Sequence, residues 1–195
     1  MEKSILLFIY FVSACITYSQ DADINLEWRN SGDVVFGAYI GLTTSTITDN
    51  DFGGNDNVSG NSFLVGAQAD YFFKNNWSLK AKLNYENRDF GAGGTNYLNV
   101  TVAPVWHFGT NRRWHLQLGA AYSAPINDSL TDGSFETDFG IGVIIPIDAL
   151  RFFIEIDGVT NNNAFEVTLT DINGNPLGSA KLRTNRTSIN FGILF

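Results

Sequence analysis

Cysteine is almost missing from this 195-residue chain: Cys15 is the only one. It falls in an N-terminal segment read below as removed, which leaves a mature chain with no thiol. Disulfides, thiolate metal sites and cysteine nucleophiles are excluded together, and the absence suits a chain that crosses an oxidising compartment. Histidine is scarce as well, with only His107 and His115. Cations are the minority charge, 12 Lys and Arg against 20 Asp and Glu, for a formal charge of −8. Nothing in that balance neutralises phosphates, so nucleic acid is not an expected partner. No segment after the N-terminus is apolar enough to cross a bilayer as a helix.

What is present begins with residues 1–19, which read as a secretory signal: Lys3, then the apolar run from Ile5 to Val12, then Thr17-Tyr18-Ser19 ahead of Gln20. A lipobox reading of Val12-Ser13-Ala14-Cys15, with Cys15 lipidated, competes with it. Residues 20–33 would be a periplasmic N-terminal segment and 34–195 one domain.

A turn pattern then recurs. Tyr71-Phe72-Phe73-Lys74-Asn75-Asn76-Trp77 is followed by Trp106-His107-Phe108-Gly109-Thr110-Asn111-Arg112-Arg113-Trp114 and by Ile145-Pro146-Ile147-Asp148-Ala149-Leu150-Arg151-Phe152-Phe153. Trp77, Trp114 and Phe152 are spaced 37 and 38 residues apart, so the repeating unit is a two-stranded hairpin. Between the turns apolar residues alternate with polar ones or glycine at the strand period. Val34, Phe36, Ala38, Ile40 and Leu42 share one face; Trp77, Leu79, Ala81, Leu83 and Tyr85 share another, opposite Lys80, Lys82 and Glu86. The pattern predicts eight strands, with short connections at 74–76, 109–113 and 148–151 and longer polar ones at 46–61, 89–96 and 124–134. Aromatic shoulders on short turns are what a membrane barrel places at its near interface, making Phe73, Trp77, Trp106, Phe108, Trp114 and Phe152 a candidate girdle. Residues 161–185, with Asn173-Gly174 as a turn signal, predict a protruding hairpin carried by strands 7 and 8.

These features, with a last strand ending Ser188-Ile189-Asn190-Phe191-Gly192-Ile193-Leu194-Phe195, resemble the small outer-membrane β-barrel proteins of the OmpX/OmpA type. Among them the chain is most similar to the porin-family outer-membrane β-barrel domains of Gram-negative bacteria. The resemblance implies an all-β, eight-stranded antiparallel up-and-down transmembrane barrel in the cell outer membrane. It implies outer-membrane lipids and the barrel-assembly machinery as partners, the latter reading Phe191 and Phe195. It implies no particular activity.

An eight-stranded barrel is just wide enough to be filled by side chains. Counting from the 74–76 turn sets Asp70 opposite Lys80 and Gln68 opposite Lys82, with Glu155 and Asp157 on the far wall. A lumenal ion-pair network of Asp70, Lys80, Lys82, Glu155 and Asp157 is the expected filling; solvated residues at a wet mouth are the alternative. His107 and His115 should face each other across their turn, but no carboxylate on that hairpin completes a metal set. Both lie at the short-turn end, so a lipid-modifying enzyme would lack its base at the outer leaflet. The run Asp49–Asp56 fails as a calcium loop at two ligand positions. No enzyme, cofactor or metal is expected. A structural or surface-interaction role leads, with an external partner at the protruding hairpin as a separate expectation. A narrow solute passage and a soluble lipocalin-like barrel are the alternatives.

Overall fold

The computed structural model describes residues 30–49, 58–89, 94–126, 133–147, 150–161, 165–170 and 176–195. The signal segment with Cys15, most of the 20–33 segment, and the acidic run beyond Asp49 lie outside them. Nine strands are present among the described residues: β1 (Val34–Asp49), β2 (Val58–Lys74), β3 (Trp77–Asp89), β4 (Gly94–Phe108), β5 (Trp114–Pro125), β6 (Ser134–Ile147), β7 (Leu150–Asn161), β8 (Phe165–Thr170) and β9 (Pro176–Leu194). Each strand pairs antiparallel with the next from β1 to β7, β9 follows β7, and β9 pairs back onto β1. Eight strands therefore form a closed up-and-down barrel, a topology that leaves no edge in the wall. The wall closes between the ends of the domain, where Phe36 and Phe195 exchange backbone hydrogen bonds of 3.1 and 2.9 Å.

β8 stands apart from the ring. Among the described residues it pairs only with the first part of β9, from Phe165 opposite Leu182 to Thr170 opposite Pro176. β1 stops at Asp49 opposite Leu182, and β7 at Thr160 opposite Asn185. The stretch of β9 before Leu182 thus belongs to a hairpin with β8 rather than to the barrel wall. β7 runs to Asn161, and β8 resumes at Phe165 on the same side of β9, so the hairpin continues the line of β7 and β9 beyond the ring.

Alternation decides the two faces, because successive side chains point to opposite sides of a strand. Outward are Val34, Phe36, Ile40, Leu42, Phe63, Val65, Leu79, Leu83, Val100, Val102, Leu118, Phe139, Ile156 and Phe191, all exposed. Inward are Lys80, Lys82, Glu86, Arg88, Gln117, Asp138, Glu155, Asp157 and Arg186, all buried. This distribution is inside-out for a protein in water and correct for one in lipid.

Two differences from the sequence pattern have physical reasons. The strands outrun the apolar alternation: β1 continues through Thr44 and Thr46 to Asp49 and β2 begins at Val58, inside the predicted 46–61 connection. Ladder hydrogen bonds are made by the backbone and need no apolar side chains. The polar outward positions instead bond across strands, Thr44 to Asn61 at 3.1 Å, Asn87 to Asn96 at 2.5 Å and Thr160 to Asn185 at 2.7 Å. Second, the lumen is not polar throughout. Val35, Phe72, Ile144, Phe153 and Leu194 fill it toward the short-turn end, extending to Tyr39 and Leu64 as one apolar cluster.

The short-turn end is stitched together. Gly32 N donates to Phe72 O at 2.7 Å and Ser31 Oγ to Phe73 O at 3.1 Å. In the β4–β5 connection Gly109, Asn111 and Arg112 have φ of 78, 56 and 54°. Arg112 reaches back there to donate to the Asn75 carbonyl in the β2–β3 turn.

Candidate functional site

The lumen concentrates the chain's polar chemistry, in two layers. In the first, Lys80 and Lys82 occupy successive inward positions of β3 and converge on Glu155 of β7. The Lys80 Nζ–Glu155 Oε2 and Lys82 Nζ–Glu155 Oε1 distances are 2.6 and 2.5 Å. Lys82 also meets Asp157 Oδ2 at 2.7 Å, and His115 Nε2 lies 2.6 Å from Glu155 Oε2. Asn190 Nδ2 donates to Asp157 at 2.7 Å, and Gln117 Nε2 joins Asp157 to Asp138 at 3.0 and 2.9 Å. Space for these groups is made by glycine: a Cβ at Gly140 would strike Asp157 and Gln117, and one at Gly142 would strike the His115 ring. Gly140 and Gly142 are therefore covered by neighbouring side chains.

Asp70 departs from the expected network. It faces Lys80 in register, but the described ion pairs do not join them. Asp70 instead accepts from Gln68 Nε2 and Ser78 Oγ, each at 3.2 Å. The long lysine stem spans the lumen to Glu155, leaving the shorter carboxylate to its own wall. Ser78 Oγ is also 2.9 Å from His107 Nε2. In this chain Asp70 bonds the Ser78 hydroxyl, whereas in a hydrolytic triad the carboxylate orients the imidazole.

The second layer was not singled out from sequence. Arg186 of β9 crosses the lumen, donating to Glu86 Oε2 at 2.5 Å, to Ser123 Oγ at 3.2 Å and to Glu136 Oε2. Arg88 joins Glu86 at 3.0 Å, bonds Asn99 and Ser123 at 3.1 and 3.2 Å, and lies 3.8 Å over the Tyr97 ring. The signal was available in strand parity, since Glu86 and Arg88 continue the inward series begun by Lys80 and Lys82. Between the layers is a cavity of about 30 Å³, room for about two waters and nothing larger. Its lining includes Thr43, Asn84, Asp138 and Ser188. No group of three or more His, Asp or Glu side chains fit to hold a metal occurs among the described residues; the His107 and His115 rings lie 6.0 Å apart between centroids, tilted by 46°.

No known family model matches the sequence, and no curated protein matches it. Solved structures do. The outer-membrane protein AlkL, determined in DMPC lipid bilayers, superposes with a TM-score of 0.59 at 13% identity, covering 85% of this chain and 90% of that one. OprG of Pseudomonas aeruginosa, also an outer-membrane protein, superposes with a TM-score of 0.55 at 14% identity, covering 87% and 99%. The fold is that of the small outer-membrane β-barrels. Identity at this level carries the architecture and no activity.

On such a barrel the aromatic positions have a clear meaning. Phe73, Trp77, Trp106 and Phe152 are exposed on the outer wall toward the short turns, and Phe108 and Trp114 are half-buried there. Trp77 stacks on Trp106 at 6.4 Å and Trp106 on Phe108 at 4.8 Å, forming one slab. Phe191 and Phe195 also face outward.

Proposed function

We propose that this protein is an integral barrel of the Gram-negative outer membrane with a structural or surface-interaction role, an occluded lumen and no catalytic activity. The observation that carries the reading is Glu155, buried at the point where Lys80, Lys82 and His115 from two other strands converge. Opening a continuous path there would strand buried charges, which costs several kcal/mol per ion. The apolar cluster around Phe72 and Phe153 adds a dry seal at one end. Short turns belong on the periplasmic side of such barrels and long connections outside, which puts the β8–β9 hairpin at the cell surface. The side of β8 away from β9 has no partner strand among the described residues, and an extended partner segment adds to such an edge by backbone pairing. Phe191 and Phe195 supply the terminal aromatic strand for the barrel-assembly machinery, and N-terminal signal cleavage precedes insertion.

The test pairs a detergent gel with planar bilayers. The full chain from outer membranes is expected to migrate fast unheated, to slow after boiling, and to give no resolvable conductance steps. Replacing Lys80 and Lys82 together by Met is expected to lower the temperature of the gel shift. Discrete steps from the unsubstituted chain would overturn occlusion in favour of a narrow solute passage. A soluble product with no heat shift would overturn the membrane reading itself.

A further inference from the structure

The chain is acidic as a whole, yet among the described residues the short turns carry more cations than carboxylates. The described charged side chains of the short turns that are not buried are Lys74, Arg112, Arg151 and one acidic residue, Asp33, while Arg113 is buried; Asp148 lies outside the described residues. Three of the chain's 12 cations thus stand at one rim of a molecule in which carboxylates outnumber cations. Asp33 is engaged locally, its Oδ2 accepting from Asn30 N at 2.7 Å.

Two of these cations meet at one corner. Lys74 pairs with Trp77 where β2 turns into β3 and is exposed. Arg112 lies in the next short connection, and its bond to the Asn75 carbonyl brings it to the same β2–β3 turn. Asn111 and Arg112 both hold left-handed φ, 56 and 54°, a conformation that non-glycine residues adopt at a cost and that recurs at binding sites. Directly along the strands from this corner is the Trp77–Trp106–Phe108 slab. Tryptophan rings settle at headgroup depth, so the slab fixes the corner's height at the level of lipid phosphates.

We propose that Lys74, Asn75 and Arg112, beside the Trp77–Trp106–Phe108 slab, form a binding site for the phosphodiester headgroup of an anionic phospholipid in the periplasmic leaflet. The cations neutralise the phosphate, the Asn75 side chain offers an amide donor, and the slab packs against the glycerol and first acyl carbons. The site rests on the membrane reading above. Cations close to an anionic lipid surface each strengthen association by roughly fivefold.

The test uses the full chain with Trp28→Phe, which leaves Trp77, Trp106 and Trp114 as the fluorophores. The protein is refolded into phosphatidylcholine vesicles and titrated with brominated phosphatidylglycerol in one series and brominated phosphatidylcholine in another. Brominated phosphatidylglycerol is expected to quench at lower mole fraction, and K74Q and R112Q each to reduce that preference by roughly fivefold. Lys74 is solvent-exposed, so K74Q keeps the test valid even where R112Q disturbs the turn; the heat shift on a gel verifies folding of both. Equal quenching by the two lipids, or a preference unchanged in K74Q, overturns the site. Absence of quenching by either lipid overturns the membrane reading instead, so the two failures are distinct.

Discussion

The lysine layer and the arginine layer both join opposite walls of one narrow lumen, but their hubs carry opposite charge. In the lysine layer the hub is an acid: Glu155 receives Lys80, Lys82 and His115. In the arginine layer the hub is a base: Arg186 forks onto Glu86, Glu136 and Ser123. A guanidinium is a planar fork with five donors, suited to several acceptors at once, whereas an ammonium is a point charge and two are needed to cover one carboxylate from two positions. The consequence lies in what each hub leaves behind. Without Glu155, Lys80 has no other ion-pair partner among the described residues. Without Arg186, Glu86 still has Arg88 and Asn99, and Glu136 still accepts from Ser123 at 2.8 Å. The lysine layer should therefore be the fragile one.

The largest effect expected from this contrast is at Glu155. Glu155→Gln should destabilise the barrel by about 3–5 kcal/mol, the cost of leaving a buried charge unpaired, read as a shift in guanidinium unfolding in detergent. Arg186→Gln should cost about 1–3 kcal/mol, because its acceptors keep other donors. The reverse order would break the comparison. A second variant contrasts inside with outside. Leu118, 60% exposed in the middle of β5 on the outer wall, should not tolerate the lysine that β3 holds inside. Leu118→Lys is expected to cost about 2–4 kcal/mol in vesicles, the usual penalty for a cation on the lipid face. A neutral result there would mean that the outer wall is not in lipid. A third variant reaches the lysine layer through packing alone. Gly142→Ala places a methyl against the His115 ring and should cost about 1–3 kcal/mol as overpacking. Gly158→Ala, where nothing nearer than 3.9 Å would be met, is the control and should be close to neutral.

How far the architecture is legible in the chain depends on which force fixes each part. Alternation such as Trp77, Leu79, Ala81, Leu83 against Ser78, Lys80, Lys82, Asn84 reports directly on a wall with lipid on one side, and the ring of strands follows from it. Strand ends beyond the apolar belt are held by backbone pairing and by links such as Thr44–Asn61, which no hydropathy pattern records. The apolar plug was visible in hindsight as doubled residues: Phe72-Phe73, Ile144-Ile145 and Phe152-Phe153 are apolar on both faces, and the inward member of each pair is in the plug. Asp70 shows the limit for side chains. Register placed it opposite Lys80, yet a lysine can choose any acceptor within reach of its stem, and across a lumen this narrow that includes the far wall. Register is a property of neighbouring strands; the lumenal contacts cross the barrel.

The smallest expected effect is the most diagnostic of whether the lumen holds two layers or one. Lys82 and Glu86 are four positions apart on β3, about 13 Å at the rise of a strand, and Glu155 and Arg186 share no bonded partner among the described residues. Sites that far apart without a common partner add to within about 0.5 kcal/mol. Glu155→Gln combined with Arg186→Gln should therefore show a coupling no larger than that. Glu155→Gln combined with Lys82→Met, which touch, should couple by about 0.5–3 kcal/mol. The cavity between the layers sets the alternative. If water there ties Asp138 and Asp157 to Arg186 as tightly as direct bonds would, the first cycle will couple as strongly as the second. The arginine hub would then be holding the lysine layer in place, and the order of fragility argued from their hubs would no longer follow from either layer alone.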